Sequence, residues 1–123
     1  MPVIRSADAV VHQAHGSTFT SFVARSLGSA QLCAWQLTVP AGLQGAAHRP
    51  SREEVLLLLG GELIITLDGT VTDLAPGDVV LVPAGSELRV DGGACGGTAW
   101  VTTTPGLEAV MADGAAIAPP WAN

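Results

Sequence analysis

The residues 42–61, "GLQGAAHRPSREEVLLLLGG", hold the pair with the clearest chemistry in the chain. His48 and Glu54 stand six positions apart, and Pro50 fills the place where a second polar ligand would follow His48. An imidazole and a carboxylate brought together supply two ligands of a divalent ion, or share a proton as an acid/base couple. In the couple the carboxylate fixes the imidazole tautomer and raises its basicity. The third reading is structural, a histidine at a strand edge that merely satisfies the glutamate. The sequence lacks a GxSxG nucleophile motif, a phosphate loop and a dinucleotide fingerprint, which removes several enzyme classes without selecting one.

The elements that must position this pair read as strands. "TFTSFVARS", "AQLCAWQLTV", "EEVLLLL", "ELIITL", "TVTDL", "DVVLVP", "ELRV" and "TAWVTTT" are short, rich in Val, Leu, Ile and Thr, and separated by turn residues. Asp68-Gly69 signals a two-residue hairpin, and Gly60-Gly61 is expected to serve the same purpose. Asp78 and Asp68 are assigned to turns. No stretch carries a 3.6-residue apolar period bounded by caps, although "GLEAVMADG" is expected to hold a short helical turn. The Pro-rich end "AIAPPWAN" reads as extended, on the surface or on a partner.

About eight to ten short strands imply a closed barrel or a two-sheet jelly roll, since an all-β chain must manage its edges. The run Val55 to Leu59 is apolar at every position, so both faces of that strand need cover. One face lines the interior. The other must meet a second sheet, a terminal segment or another subunit, and a homodimer is expected.

Composition narrows the partners. The chain has 123 residues, 48% apolar and 13% charged, which marks it as globular. Five basic residues against eleven acidic ones give a net charge of −6, so nucleic acid and anionic membrane surfaces are not expected partners. "MPVIRSADAV" lacks the order of a signal peptide, and the apolar runs are too short to span a bilayer. A cytoplasmic location follows as an expectation, with Cys33 and Cys95 reduced and buried.

Two runs carry a family resemblance. Gly42, His48, Glu54 and Gly61 match the pattern glycine, five residues, histidine, one residue, histidine, three or four residues, glutamate, six residues, glycine. Pro50 replaces the second histidine. Gly77, Pro83 and Gly85 match glycine, five residues, proline, one residue, glycine, two residues, histidine, three residues, asparagine. There Leu88 replaces the histidine and Gly92 the asparagine. These runs are similar to the two motifs of the cupin superfamily. The resemblance implies an all-β, single-domain cupin-type β-barrel or double-stranded jelly roll over 1–123. Its motif core spans 42–92, with N-terminal strands in 1–40 and an extended C-terminal tail over 105–123.

In cupins the two histidines and the glutamate of the first motif, with the histidine of the second, bind one divalent metal inside the barrel. His48 and Glu54 alone remain here, and Pro50 and Leu88 put apolar bulk where ligand atoms would sit. Catalytic zinc has three protein ligands plus water, so no cofactor is expected beyond a divalent ion weakly held by His48 and Glu54. A third ligand recruited from His12, His15, Cys95, Glu53 or Glu87 would rebuild a metal-dependent dioxygenase, and the spacing selects none of them.

Cupin parity points His48 and Glu54 into one interior, with Leu56, Leu58 and Leu88 in the pocket lining. Trp35 and Gln36 are adjacent on one strand, so only one faces inward. Gln36 is placed in the lining as a polar contact, an inward Trp35 being the alternative, a stacking wall. Core or subunit packing is the expectation for either tryptophan, Trp35 or Trp100. The implied function is binding of a small apolar or mixed-polarity ligand. Metal-independent acid/base catalysis of isomerase, cyclase or lyase type by His48 and Glu54 would follow from it. A recruited-ligand dioxygenase and a non-enzymatic binding or structural cupin are the alternatives.

Overall fold

The computed structural model describes residues 3–123. Among them are β1 (Val10–Ala14), β2 (Ser17–Val23), β3 (Cys33–Val39), β4 (His48–Pro50), β5 (Glu54–Gly61) and β6 (Leu63–Leu67). β7 (Thr70–Leu74), β8 (Val79–Val82), β9 (Leu88–Asp91), β10 (Gly97–Thr103), β11 (Ala109–Met111) and β12 (Ala116–Ile117) complete the set. Among the described residues, helical structure is confined to 3-10 turns at Ser6–Asp8, Arg25–Leu27 and Pro120–Ala122. All eight strands read from the sequence are present. The segment expected to hold a helical turn instead forms β11, which pairs with β4 and β12. Its backbone groups find strand partners on both sides, and that tertiary offer overrides a weak local preference.

The strands form two six-stranded antiparallel sheets, ordered β1-β2-β3-β10-β5-β8 and β12-β11-β4-β9-β6-β7. This is a jelly roll. No hydrogen-bonded ladder among the described residues joins the two sheets, so the closed-barrel form of the expectation gives way to two facing sheets.

The corner between β5 and β6 shows how the chain changes sheet. Gly60-Gly61 is not a hairpin: β5 pairs with β10 and β8, whereas β6 pairs with β7 and β9 in the other sheet. Glu62 makes the crossing. Its N–H donates to the Gly96 carbonyl at 2.9 Å, and its carboxylate accepts from Ala94 N–H at 2.5 Å. The β5–β10 register skips Leu59, a bulge that bends the strand toward the corner. By contrast Asp68-Gly69 is the hairpin turn expected, with φ of 47° and 84° between paired Leu67 and Thr70. The Asp68 carboxylate also accepts the Glu87 N–H at 2.8 Å, and that of Asp78 accepts the Ala75 N–H at 2.9 Å.

Alternation places the core between the sheets. Trp35 and Leu37 of β3, Leu56 and Leu58 of β5, Leu63 and Ile65 of β6, and Ala99 and Val101 of β10 all face inward and are buried. Complete burial of a leucine such as Leu58 or Leu63 contributes about 1.5–3 kcal/mol each. The outer face of β5 and β8 is different: Val55, Leu59, Val79 and Leu81 are 40–58% exposed. Cys33 is buried as expected, but Cys95 is exposed, because it lies in the loop that caps Glu62 rather than on a strand. No helix among the described residues is long and apolar enough to cross a membrane.

The corner generates a test. Gly61 has φ of 75°, and an added Cβ would sit against the Gly96 carbonyl oxygen, whereas nothing lies within 4 Å of a Cβ at Gly60. Gly61→Ala should therefore cost at least about 2 kcal/mol in urea unfolding, and Gly60→Ala less than about 1 kcal/mol. Equal costs would show that the corner is not under this constraint.

Candidate functional site: a cavity between the sheets

A cavity of about 130 Å3 lies between the two sheets. β3 contributes Trp35, Leu37 and Val39, and β5 contributes Glu54 and Leu56. From the opposite sheet come His48 and Pro50 of β4 and Leu88 and Val90 of β9. The wall is aliphatic apart from a few aromatic rings and polar groups.

Of the residues placed in the lining from sequence, Leu56 and Leu88 are there. Leu58 is fully buried but packs in the core away from the cavity. Gln36 is corrected. Trp35 takes the inward position, 3% exposed, and strand alternation puts Gln36 on the outer face, opposite Trp100 and Thr20. Trp100 is also on that outer face, tilted against Phe22 with ring centroids 5.4 Å apart.

Glu54 and His48 enter the same cavity from opposite sheets. They are not hydrogen-bonded to each other, contrary to the couple expected from the sequence. His48 Nδ1 lies 2.9 Å from the Ala46 carbonyl. A carbonyl only accepts, so Nδ1 carries the proton and Nε2 of the neutral ring is left as the acceptor. The Ala46 carbonyl is itself held in place. Asp91 accepts the neighbouring Gly45 N–H at 2.8 Å and pairs with Arg89 at 2.7 Å. Burial alone would raise the Asp91 carboxyl, but the Arg89 and Gly45 hydrogen bonds and the Arg89 charge bring it below its ordinary value.

Glu54 is only 6% exposed, and its carboxyl has no hydrogen-bond partner among the described residues. Desolvation by burial raises it from 4.5 to about 7. The nearest chain neighbours do not relieve it: the Thr103 hydroxyl donates to the Glu53 carbonyl at 2.7 Å instead. A second polar group in the wall lacks a partner, the Nε1–H of Trp35, which is buried without an acceptor.

The C-terminal segment, expected to lie extended on the surface or on a partner, folds back to cover one side of the cavity. Trp121 stacks on Phe19 at 3.8 Å and 13°, and Ile117, Pro119 and Trp121 all line the cavity. Ser21 Oγ donates to the Trp121 carbonyl at 2.7 Å, and Cys33 Sγ donates to that of Ala122 at 3.0 Å. Burial raises the Cys33 thiol, and the Arg25 charge opposes it only in part. Sequence reading missed Phe19, Trp121 and Met111 as cavity residues. Their one signal was the presence of large apolar side chains in segments otherwise rich in small residues.

A metal is a poor fit. His48 Nε2 and the Glu54 carboxyl are two donors, and the positions that would supply others hold Pro50, fully buried, and Leu88, 4% exposed. His15 lines the mouth, while His12 packs near Trp121. No three His, Cys, Asp or Glu side chains converge among the described residues. The donor set falls short of the three that a catalytic zinc site uses.

The family model for the cupin domain matches residues 35–92. The structure is similar to an RmlC-like cupin from Shewanella frigidimarina, with a TM-score of 0.69 and 20% identity over 82% of this chain and 87% of that one. It is also similar to the polyketide cyclase RemF from Streptomyces resistomycificus, with a TM-score of 0.71 and 15% identity over 87% of this chain and 83% of that one. Over 80 residues the chain is 35% identical to the endoribonuclease YbeY of Myxococcus xanthus, which is 63% of this chain and 26% of that protein. The chain thus spans about a quarter of the length of that curated relative. Fold, motifs and family model agree on a small cupin domain, with the family match over residues 35–92.

Two outcomes test the site. Between its ordinary value of 4.5 and about 7, folded Glu54 keeps a proton that the unfolded chain has released. Stability should therefore fall as pH rises through that window, by on the order of 3 kcal/mol. Glu54→Gln should remove that slope in urea melts at pH 4 and pH 8, and an unchanged slope would place the carboxyl in water. Separately, Pro50→His with Leu88→His should bind zinc at least a hundredfold more tightly than the parent in isothermal titration. Submicromolar binding by the parent would reveal a ligand not seen here.

Proposed function

We propose that the cavity binds a small, mostly apolar molecule and moves a proton on it without a metal, Glu54 being the acid/base group. The observation that carries this reading is the Glu54 carboxyl itself, buried, without a hydrogen-bond partner, and raised to about 7. At neutral pH such a group is present in both its forms, which is what general acid/base catalysis needs. His48 supplies the second proton site through Nε2, on the facing wall. One group withdraws a proton from carbon and the other delivers one to oxygen, the step shared by isomerases, cyclases and lyases acting beside a carbonyl. The likeness to the polyketide cyclase RemF supports the fold for such chemistry and nothing finer. Ribonuclease activity is not carried over from YbeY, since a chain of net charge −6 without lysine offers a polyanion little.

Exchange of the methyl protons of acetophenone in D2O, followed by proton NMR, tests the reading. The parent should accelerate exchange, Glu54→Gln should reduce the acceleration at least about a hundredfold, and EDTA should leave it unchanged. Exchange no faster than in buffer, with ligand still bound, would identify a binding protein.

We also propose that a second copy of this chain covers the outer face of β5 and β8. Val55 pairs with Leu81 and Leu57 with Val79 across the strands, Trp100 lies beside Leu57, and β8 is the free edge of its sheet. An exposed apolar edge strand is a surface that folded proteins cover. Sedimentation at micromolar concentration should report a dimer, and Val79→Lys with Leu81→Lys a monomer. A monomeric parent would overturn the assignment.

A further inference from the structure

Taking the cavity as the ligand site, as proposed above, we infer that it selects an uncharged molecule about the size of benzene that carries a hydroxyl, and that this O–H donates to the Glu54 carboxyl. Size comes from the volume. A cavity of about 130 Å3 is close to the ~150 Å3 apolar cavities that stay dry and take benzene, so about six to ten heavy atoms fit.

Charge comes from the wall. The five cationic side chains of the protein are Arg5, Arg25, Arg49, Arg52 and Arg89, and none lines the cavity. Glu54 does. An anion would leave water to sit beside a carboxyl with no countercharge, the least favourable kind of burial. An organic cation would meet Glu54 on one side, but aliphatic groups such as Leu37, Leu56 and Val82 elsewhere, and would lose most of its hydration. An uncharged molecule incurs neither cost.

The hydroxyl comes from a shortage of donors. Glu54 points inward on β5 in step with Leu56 and Leu58. Its carboxyl oxygens have no partner among the described residues, yet they keep accessible surface on a residue only 6% exposed. Such a group accepts in either protonation state, and donates only when protonated, through one of its two oxygens. His48 faces the same cavity from the other sheet, and its Nε2 accepts because the Nδ1–H is engaged by the Ala46 carbonyl. The side-chain donors of the wall are out of reach. The Trp35 Nε1–H has essentially no accessible surface. The Ser17 hydroxyl lies at the opposite end of β5 from Glu54, because the ladder Thr18–Thr38–Thr98–Gly60 sets its level. His15 is exposed at the mouth. A ligand O–H therefore gives the carboxyl the partner that the protein does not supply, and the rest of the molecule fills the aliphatic space. The enol formed when a ketone loses a proton from the carbon beside its carbonyl has this O–H, and the ketone does not. The same preference thus favours the intermediate of the proposed reaction over its substrate.

Two shape-matched probes, phenol and toluene, test this by isothermal titration, with benzoate and benzylammonium as charged counterparts. In an apolar cavity a hydroxyl without a partner costs about tenfold or more in affinity. The parent should nonetheless bind phenol at least as tightly as toluene, and both ions more weakly than either. Glu54→Leu should restore the penalty, with toluene retained and phenol at least about tenfold weaker than toluene. In the parent, which avoids any question of variant folding, the Glu54 carboxyl 13C resonance should shift with phenol well beyond its response to toluene. Phenol bound less tightly than toluene by the parent would overturn the inference. So would an unchanged phenol-to-toluene ratio in Glu54→Leu, equal responses of the carboxyl resonance, an ion bound as tightly as phenol, or no binding by any probe. Phenol bound as described, with no exchange of acetophenone protons, would uphold the inference and count only against proton transfer by Glu54.

Discussion

Strand parity on β5 is the constraint from which the site follows. Glu54, Leu56 and Leu58 alternate with Val55, Leu57 and Leu59, so a strand that buries two leucines must bury the carboxyl as well. A one-residue slip would turn Glu54, Leu56 and Leu58 outward and Val55, Leu57 and Leu59 inward. In the register that forms, Glu54 pairs with Val82 and Leu56 with Val80 across to β8, and the carboxyl stays inside without a partner.

The rest of the fold accommodates that outcome. The two sheets do not meet closely around Glu54; they leave a cavity, and a segment from the far end of the chain closes one side of it through the Phe19–Trp121 stack. The facing wall is made rigid by a separate device, in which the Arg89–Asp91 pair holds Gly45 and through it the loop that orients His48. Gly45 is required there, because a Cβ would meet the Val90 carbonyl. The proton-bearing groups are thus fixed on opposite sheets by unrelated interactions, which leaves the space between them for a third molecule.

How much of this is legible in sequence depends on the range of the interaction. The strands and the Asp68-Gly69 turn are local, set by β-branched alternation and by a backbone geometry that Asp and Gly tolerate, and they read directly. The motif spacing gives the fold and the positions of His48 and Glu54. Three things do not read. Gly60-Gly61 has hairpin composition, but which sheet receives the next strand is decided by the distant Gly96 carbonyl that takes the Glu62 N–H. Parity says that one of Trp35 and Gln36 faces inward, and only the register with β2 and β10 says which. The covering role of 116–123 rests on contacts with Phe19, Ser21 and Cys33, about a hundred residues away.

Pro50 and Leu88 tie the chemistry together. A buried carboxylate requires a countercharge, and in a full cupin motif a divalent ion held by three histidines supplies it. With proline and leucine in two of those places, two of the four ligand positions are apolar, and the carboxyl sits beside aliphatic side chains. A proton is the remaining way to neutralise Glu54, and the rise to about 7 is the measure of how strongly the cavity demands it. On the function proposed above, that carboxyl is the group that gives and takes a proton.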